Sequence, residues 1–227
     1  LYLGVMDRTI IHVMRHGEVD NPDGALYGRL PGFGLTELGH AMAARAAEYL
    51  VDSGSDIARV ISSPLLRAQL TAAPTAAAYD LSIQSDPRLI ESDNVFEGLP
   101  VNTNRAMLAN PKYFKYYCNP LRPSWGEPYR DIASRMSAAL SSALREARGR
   151  EALVVSHQNP IVTLTRFVNG QPLAHAPKSR HCALASITSF IFSGATLVGT
   201  SYAEPAADLV AMAKDMTPGD SQADLRR

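Results

Sequence analysis

The chain has 227 residues, enough for one large domain, and its Lys plus Arg and Asp plus Glu balance at 22 each, which excludes a bulk electrostatic pull toward nucleic acid or an anionic membrane. Its two cysteines, Cys118 and Cys182, exclude a disulfide framework and stand in no C-x-x-C spacing, so both are expected as reduced thiols. No run approaches the roughly eighteen apolar residues of a membrane helix, and residues 1–6 lack the basic flank and cleavage pattern of a secretory leader, so a cytoplasmic protein with no membrane partner is expected.

Residues 9–14 are rich in Ile and Val and short, which predicts a buried strand. A polar loop with several Gly and Pro follows over 17–34. Thr36 is placed as the N-cap of a helix reaching Val51, with Leu38, Met42, Ala46 and Leu50 on one face. Residues 59–62 read as a second strand, and Pro64 as the first-turn proline of a helix running to about Ala78. Residues 98–125 carry Pro100, Pro111, Pro120 and Pro123 with little periodicity, which predicts a cap-like excursion over one end of the fold. Pro128 opens a long helix through Ile132, Met136, Ala139 and Leu144, ended by Gly149. Residues 152–156 read as a strand, 160–168 as a helix, and 186–192 with 196–202 as paired strands around Ser193 and Gly194. The polar residues 213–227 are expected as a flexible tail behind a single domain of residues 1–212.

Strands of buried type alternating with helices predict a three-layer α/β sandwich, a mostly parallel sheet with helices on both faces. Ligands of such sheets sit beyond the carboxyl ends of the strands. Arg15 and His16 leave the first strand there, Arg67 follows the second, Glu91 lies in the next loop, and His157 leaves strand 152–156. Two guanidinium forks match phosphate oxygens from two sides. With a protonated His157 they would balance the charge of a transferring phosphoryl group, so no metal and no cofactor is expected. Imidazole, with a pKa of about 6.5, is largely neutral at pH 7, which makes His16 the candidate nucleophile. Gly17 lets the backbone approach it, and its carbonyl or amide could fix the tautomer. A carboxylic acid of raised pKa would protonate the leaving alcohol and then activate water, and Glu91 is the candidate.

These residues resemble the histidine phosphatase superfamily in its phosphoglycerate mutase-like branch. Arg15-His16-Gly17-Glu18 matches the signature tetrad, Leu35-Thr36-x-x-Gly39 the helix opening, and Ser63-Pro64-Leu65-x-Arg67-Ala68-x-x-Thr71-Ala72 the second arginine motif. Glu97-Gly98 matches the short E-G pair, Gly126-Glu127 with Arg135 the G-E segment, and Val155-Ser156-His157 the second histidine motif. The resemblance implies a phosphohydrolase or mutase with His16 as nucleophile and Arg15, Arg67 and His157 as phosphate binders. It places an acid near Glu91, with Asp93 and Glu97 in competition because the local spacing is about one residue short. Asn21, about one position earlier than the family's asparagine, is carried over as a phosphate ligand. Gln158-Asn159-Pro160 stands where the family has a glycine pair.

A metal-independent phosphomonoesterase is therefore expected, acting through phospho-His16 on a small phosphorylated metabolite. The alternatives are phosphoglycerate mutase-type transfer and a catalytically silent phosphate-binding module on the same fold. Residues 98–150 hold nine basic side chains against three acids, a surface open to an anionic substrate. Tyr27, Arg29 and Phe33, with Phe96, Tyr113, Tyr116 and Tyr117, either line the mouth or anchor the excursion. His12 is expected to be packed or hydrogen-bonded in the sheet. A homodimer stays open.

Overall fold

The computed structural model describes residues 8–100, 106, 109–116, 126–215 and 224–225. Its centre is a six-stranded sheet in the order β3-β2-β4-β1-β5-β6, built from β1 (Arg8–Arg15), β2 (Ile57–Ser62), β3 (Ile83–Ser85), β4 (Glu151–Ser156), β5 (Ile187–Ser193) and β6 (Thr196–Ala203). β3, β2, β4 and β1 run parallel, while β5 pairs antiparallel with β1 and with β6. The expected mostly parallel sheet is present, and β5 and β6 form the expected hairpin.

Helices α1 (Glu37–Asp52) and α2 (Leu66–Ala78) cover one face, and α3 (Tyr129–Glu146) and α4 (Gln158–Val168) the other. The period-2 geometry of strands sorts the core accordingly. Val60, Leu153 and Val155 pack with Ala46, Leu50, Ala68 and Ala72 of the first pair of helices. Ile11, Val13, Ala152 and Val154 pack with Ile132, Met136 and Ile161 of the second. Thr36 caps α1 by accepting from Gly39 N at 2.9 Å. Pro128 is the residue just before α3, whereas α2 starts at Leu66, two residues after Pro64. His12 stays in the sheet, held by Ser189 Oγ at 2.8 Å and Glu151 Oε2 at 2.7 Å. Most of the excursion over 98–125, with Cys118, Tyr117 and two of its four prolines, falls outside the described residues; Cys182 is a buried free thiol.

One expectation is corrected. The tail predicted from residue 213 is docked at its start. Ala206, Val210 and Ala213 pack on Met42, Ala183 and Leu184, after a short helix α5 (Ala207–Val210). Lys214–Asp215 then forms a two-residue strand β7 pairing with β8 (Asp224–Leu225), and Asp215 is only 3% exposed. Spaced small apolar residues hold this segment, and they escape a reading based on overall polarity.

Candidate active site

Register places the site. Arg15 at the end of β1 lies beside Ser156 at the end of β4, and β2 flanks β4 on its other side. The three loops leaving these strands are stitched together, His16 N donating to Ser156 O at 3.2 Å and Ser63 N to Val155 O at 2.9 Å. Gly17 N donates to Thr71 Oγ1 at 3.1 Å, which ties the tetrad to α2. A Cβ on Gly17 would lie 2.6 Å from Gly39 O, so glycine is what lets α1 dock against the tetrad turn.

His16 and His157 are both buried, with ring centroids 5.2 Å apart. His16 Nδ1 donates to Gly17 O at 2.8 Å. A carbonyl only accepts, so the ring proton sits on Nδ1 and Nε2 keeps its lone pair, the tautomer a nucleophile needs. Burial, then the charges of Arg67 and Arg15, holds the His16 pKa well below the usual histidine value. The ring is neutral at pH 7.

His157 is the N-cap residue of α4, where the helix dipole favours an anion. Its Nε2 shares a 2.8 Å hydrogen bond with Ser63 Oγ. Leu65 N donates to that hydroxyl at 3.4 Å, so Ser63 can give its own proton to Nε2. His157 Nδ1 then carries a proton, and it is buried with no hydrogen-bond partner among the described residues. The protonated His157 expected from the sequence is corrected. Burial, and then its neighbours Arg67, His16, Arg135 and Arg15, lowers its pKa well below the histidine value, so the ring is neutral and can still donate.

These lowered values have a sign in stability. The unfolded chain titrates its histidines near 6.5, so below about that pH it binds more protons than the fold does, and stability falls with falling pH. Each buried ring contributes up to about 1.4 kcal/mol per pH unit. Urea unfolding at pH 7.5 and 5.5 without phosphate should show the loss, and replacing both rings by asparagine should flatten it.

Arg67, on the first turn of α2, is fully buried. Its Nη2 donates to Gly28 O at 2.6 Å, and its guanidinium carbon lies 4.6 Å over the Tyr27 ring. Burial lowers the Arg67 pKa and pushes the Tyr27 hydroxyl up to about 12. Gly28 has φ +37°, and a Cβ there would collide with the Glu97 carboxylate. Arg67 makes no salt bridge among the described residues, and its Nε is buried without a hydrogen-bond partner. Arg15 is also fully buried. Its Nη2 donates to Asp215 Oδ1 at 2.8 Å, its Nη1 lies 2.8 Å from Asp215 Oδ2, and Nη1 also donates to Cys182 O at 2.8 Å. Burial works against the Arg15 charge, and the Asp215 carboxylate overrides it, so its pKa stands above the ordinary arginine value.

The three competing acids separate. Asp93 is exposed, and its backbone carbonyl accepts from Glu127 N at 3.2 Å. Glu97 accepts from Arg29 N at 2.8 Å, and burial raises its pKa. Glu91 accepts from Ser92 N at 2.7 Å and Ser92 Oγ at 3.1 Å, and both Glu91 and Glu97 act electrostatically on Arg67. Asn159, where the family has glycine, donates to Ser92 Oγ at 2.9 Å and so ties α4 to the Glu91 loop. Asn21 is buried with its carboxamide exchanging hydrogen bonds with Ala25, at 2.8 and 3.1 Å; it shapes the loop after the tetrad.

Two of the basic side chains over 98–150 are structural. Arg135 forks Glu127 at 2.8 and 2.9 Å, and Arg150 pairs with Asp56. Arg29 joins Glu127 at 2.9 Å and Glu91 O at 2.7 Å, so it braces the acid loop. Phe33 packs on Tyr27, and Phe96 packs on Tyr113 and Tyr116, which anchors the excursion. Sequence reasoning assigned no role to Ser63 or Asp215, which contact His157 and Arg15. Ser63 lies inside a quoted motif, but nothing local marks Asp215.

A sequence profile of the histidine phosphatase superfamily (branch 1) matches residues 11–204. The chain belongs to this superfamily. It is 51% identical over 201 residues to the uncharacterized protein Rv0525 of Mycobacterium tuberculosis, covering 88% of this chain and 98% of that one. It is 32% identical over 185 residues to the "Probable phosphoglycerate mutase GpmB" of Yersinia pestis, covering 78% and 83%. Among solved structures, YhfR of Bacillus stearothermophilus superposes with a TM-score of 0.70 at 27% identity, covering 83% of this chain and 94% of that one. The mycobacterial glucosyl-3-phosphoglycerate phosphatase Rv2419c does so with 0.64 at 26%, covering 81% and 90%. Among the described residues no helix is long and apolar enough to cross a membrane, and no His, Cys, Asp and Glu cluster could hold a metal ion.

Proposed function

We propose that this histidine phosphatase superfamily member is a phosphomonoesterase acting on a small phosphorylated metabolite through a phosphohistidine at His16, without a metal. The observation that carries the reading is the neutral His16 ring, protonated on Nδ1, 5.2 Å ring to ring from His157 and under the charges of the buried Arg67 and Arg15. His16 Nε2 attacks phosphorus; the P–N bond forms as the ester P–O bond breaks. Arg67 offers Nε, Arg15 its Nε–Nη2 edge, and His157 its Nδ1–H to the equatorial oxygens. The leaving oxygen takes the proton of Glu91. That carboxylate then deprotonates water, which attacks phosphorus and releases phosphate and His16.

Two relatives support the phosphoryl class, the named mutase and the named phosphatase. The test is turnover of a phosphate ester panel, with acid-labile phosphate located on His16 after rapid quenching. Interconversion of phosphoglycerates without free phosphate would instead establish a mutase, and no turnover with no labelling would leave a binding module. Glu91→Gln should lower kcat/KM for an alkyl phosphate about 100- to 10,000-fold, and far less for an aryl ester whose leaving group needs no proton. The same leaving-group dependence in Glu97→Gln, with Glu91→Gln unaffected, would transfer the role to Glu97.

A further inference from the structure

The geometry points to Asp215 as a positioning residue of the phosphoryl site: its carboxylate sets the plane of the Arg15 guanidinium, and the segment carrying it is fastened to the turn that carries the nucleophile. The inference rests on the phosphatase reading above and deepens it.

Asp215 meets Arg15 as fork on fork. Both carboxylate oxygens lie 2.8 Å from guanidinium nitrogens, Oδ1 from Nη2 and Oδ2 from Nη1, and both side chains are buried. Two parallel contacts fix a planar group against rotation, which one contact does not. Cys182 O adds a third point on Nη1 at 2.8 Å. The clamp thus grips the Nη1–Nη2 edge and fixes the plane of the guanidinium.

The clamp arrives on a built support. Lys214 N donates to Glu18 Oε2 at 2.7 Å, and the other oxygen of Glu18 accepts from Thr36 Oγ1 at 2.8 Å. Consecutive residues 214 and 215 therefore hold the fourth and first residues of the tetrad. The apolar packing of Ala206, Val210 and Ala213 behind them keeps the segment in register. Asp215 is not a rival proton donor, because both of its oxygens are taken up by the Arg15 guanidinium.

Asp215→Ala, Asp215→Asn and Asp215→Glu test this, with kcat and KM for an aryl phosphate and orthovanadate affinity by calorimetry, at a temperature where circular dichroism shows each variant folded. Asp215→Ala should lower kcat/KM about 100-fold, mostly through kcat, and weaken vanadate at least about tenfold. Asp215→Asn should fall between, and Asp215→Glu should recover part of both. Unchanged kcat and vanadate affinity in a folded variant would overturn the inference. Tighter vanadate binding with a lower KM would also overturn it, making Asp215 a competitor of the phosphoryl group. If the alanine variant does not fold, the isosteric asparagine variant decides by the same readouts. Vanadate binding needs no turnover, so a wild type that binds vanadate but hydrolyses nothing would defeat the phosphatase reading while still testing Asp215.

Discussion

His16→Ala should abolish both phosphoenzyme formation and turnover, lowering kcat on the order of 10,000-fold or more. No other described side chain offers a lone pair from the same place. His157 is 5.2 Å away ring to ring, but its Nε2 is held by Ser63 and its Nδ1 is the donor side. Cys182 lies at the back of Arg15, and burial pushes its thiol up to about 11, which leaves it protonated and inert. Vanadate should still bind His16→Ala, because the guanidinium groups and His157 remain. Rapid-quench labelling, steady-state kinetics and calorimetry on the same preparation check all three statements. Retained labelling would place the covalent step on another residue.

Arg67→Met should separate function from stability. A buried cation whose described contacts are one carbonyl and one aromatic face costs desolvation that these contacts offset only in part. Replacing it with an apolar side chain of similar length should leave the unfolding free energy unchanged or raise it by up to about 2 kcal/mol. Kcat/KM should fall about 1,000-fold, in line with losing a preorganised donor to developing phosphoryl charge. Arg67→Lys keeps the charge and loses the fork, so it should recover little. Denaturant unfolding with and without phosphate checks the pair: wild type should gain stability from phosphate by mass action, and Arg67→Met should gain far less. A variant that unfolds easily and loses activity in proportion would mark Arg67 as structural.

The sheet was legible where burial is continuous. The Ile- and Val-rich β1, the apolar β4 and the N-cap Thr36 announce themselves within a few residues, and Arg15, His16 and His157 stand directly at strand ends, with Arg67 on the first turn of α2. β3 was not legible, because it is three residues of Ile83, Gln84 and Ser85 on a sheet edge, too short to show a period. The start of α2 was missed by two residues because Pro64 fits an extended approach as well as a first turn.

The site was legible in its ligands and not in their supports. Arg15 finds Asp215 across 200 residues of chain, and such a contact leaves no periodic trace. The charge state of His157 depends on burial and on Arg67, both of which come from tertiary structure. The choice among Glu91, Asp93 and Glu97 turns on a loop braced by Arg29, Glu127 and Asn159, residues whose types alone assign them no such task.

A crystal structure of the protein soaked with vanadate tests the convergence most directly. The expected result is one vanadium centre bonded to His16 Nε2, with Arg67, the Nε–Nη2 edge of Arg15 and His157 Nδ1 on its equatorial oxygens. Vanadate bound elsewhere, or held by Arg67 while His157 turns its Nδ1 away, would contradict it.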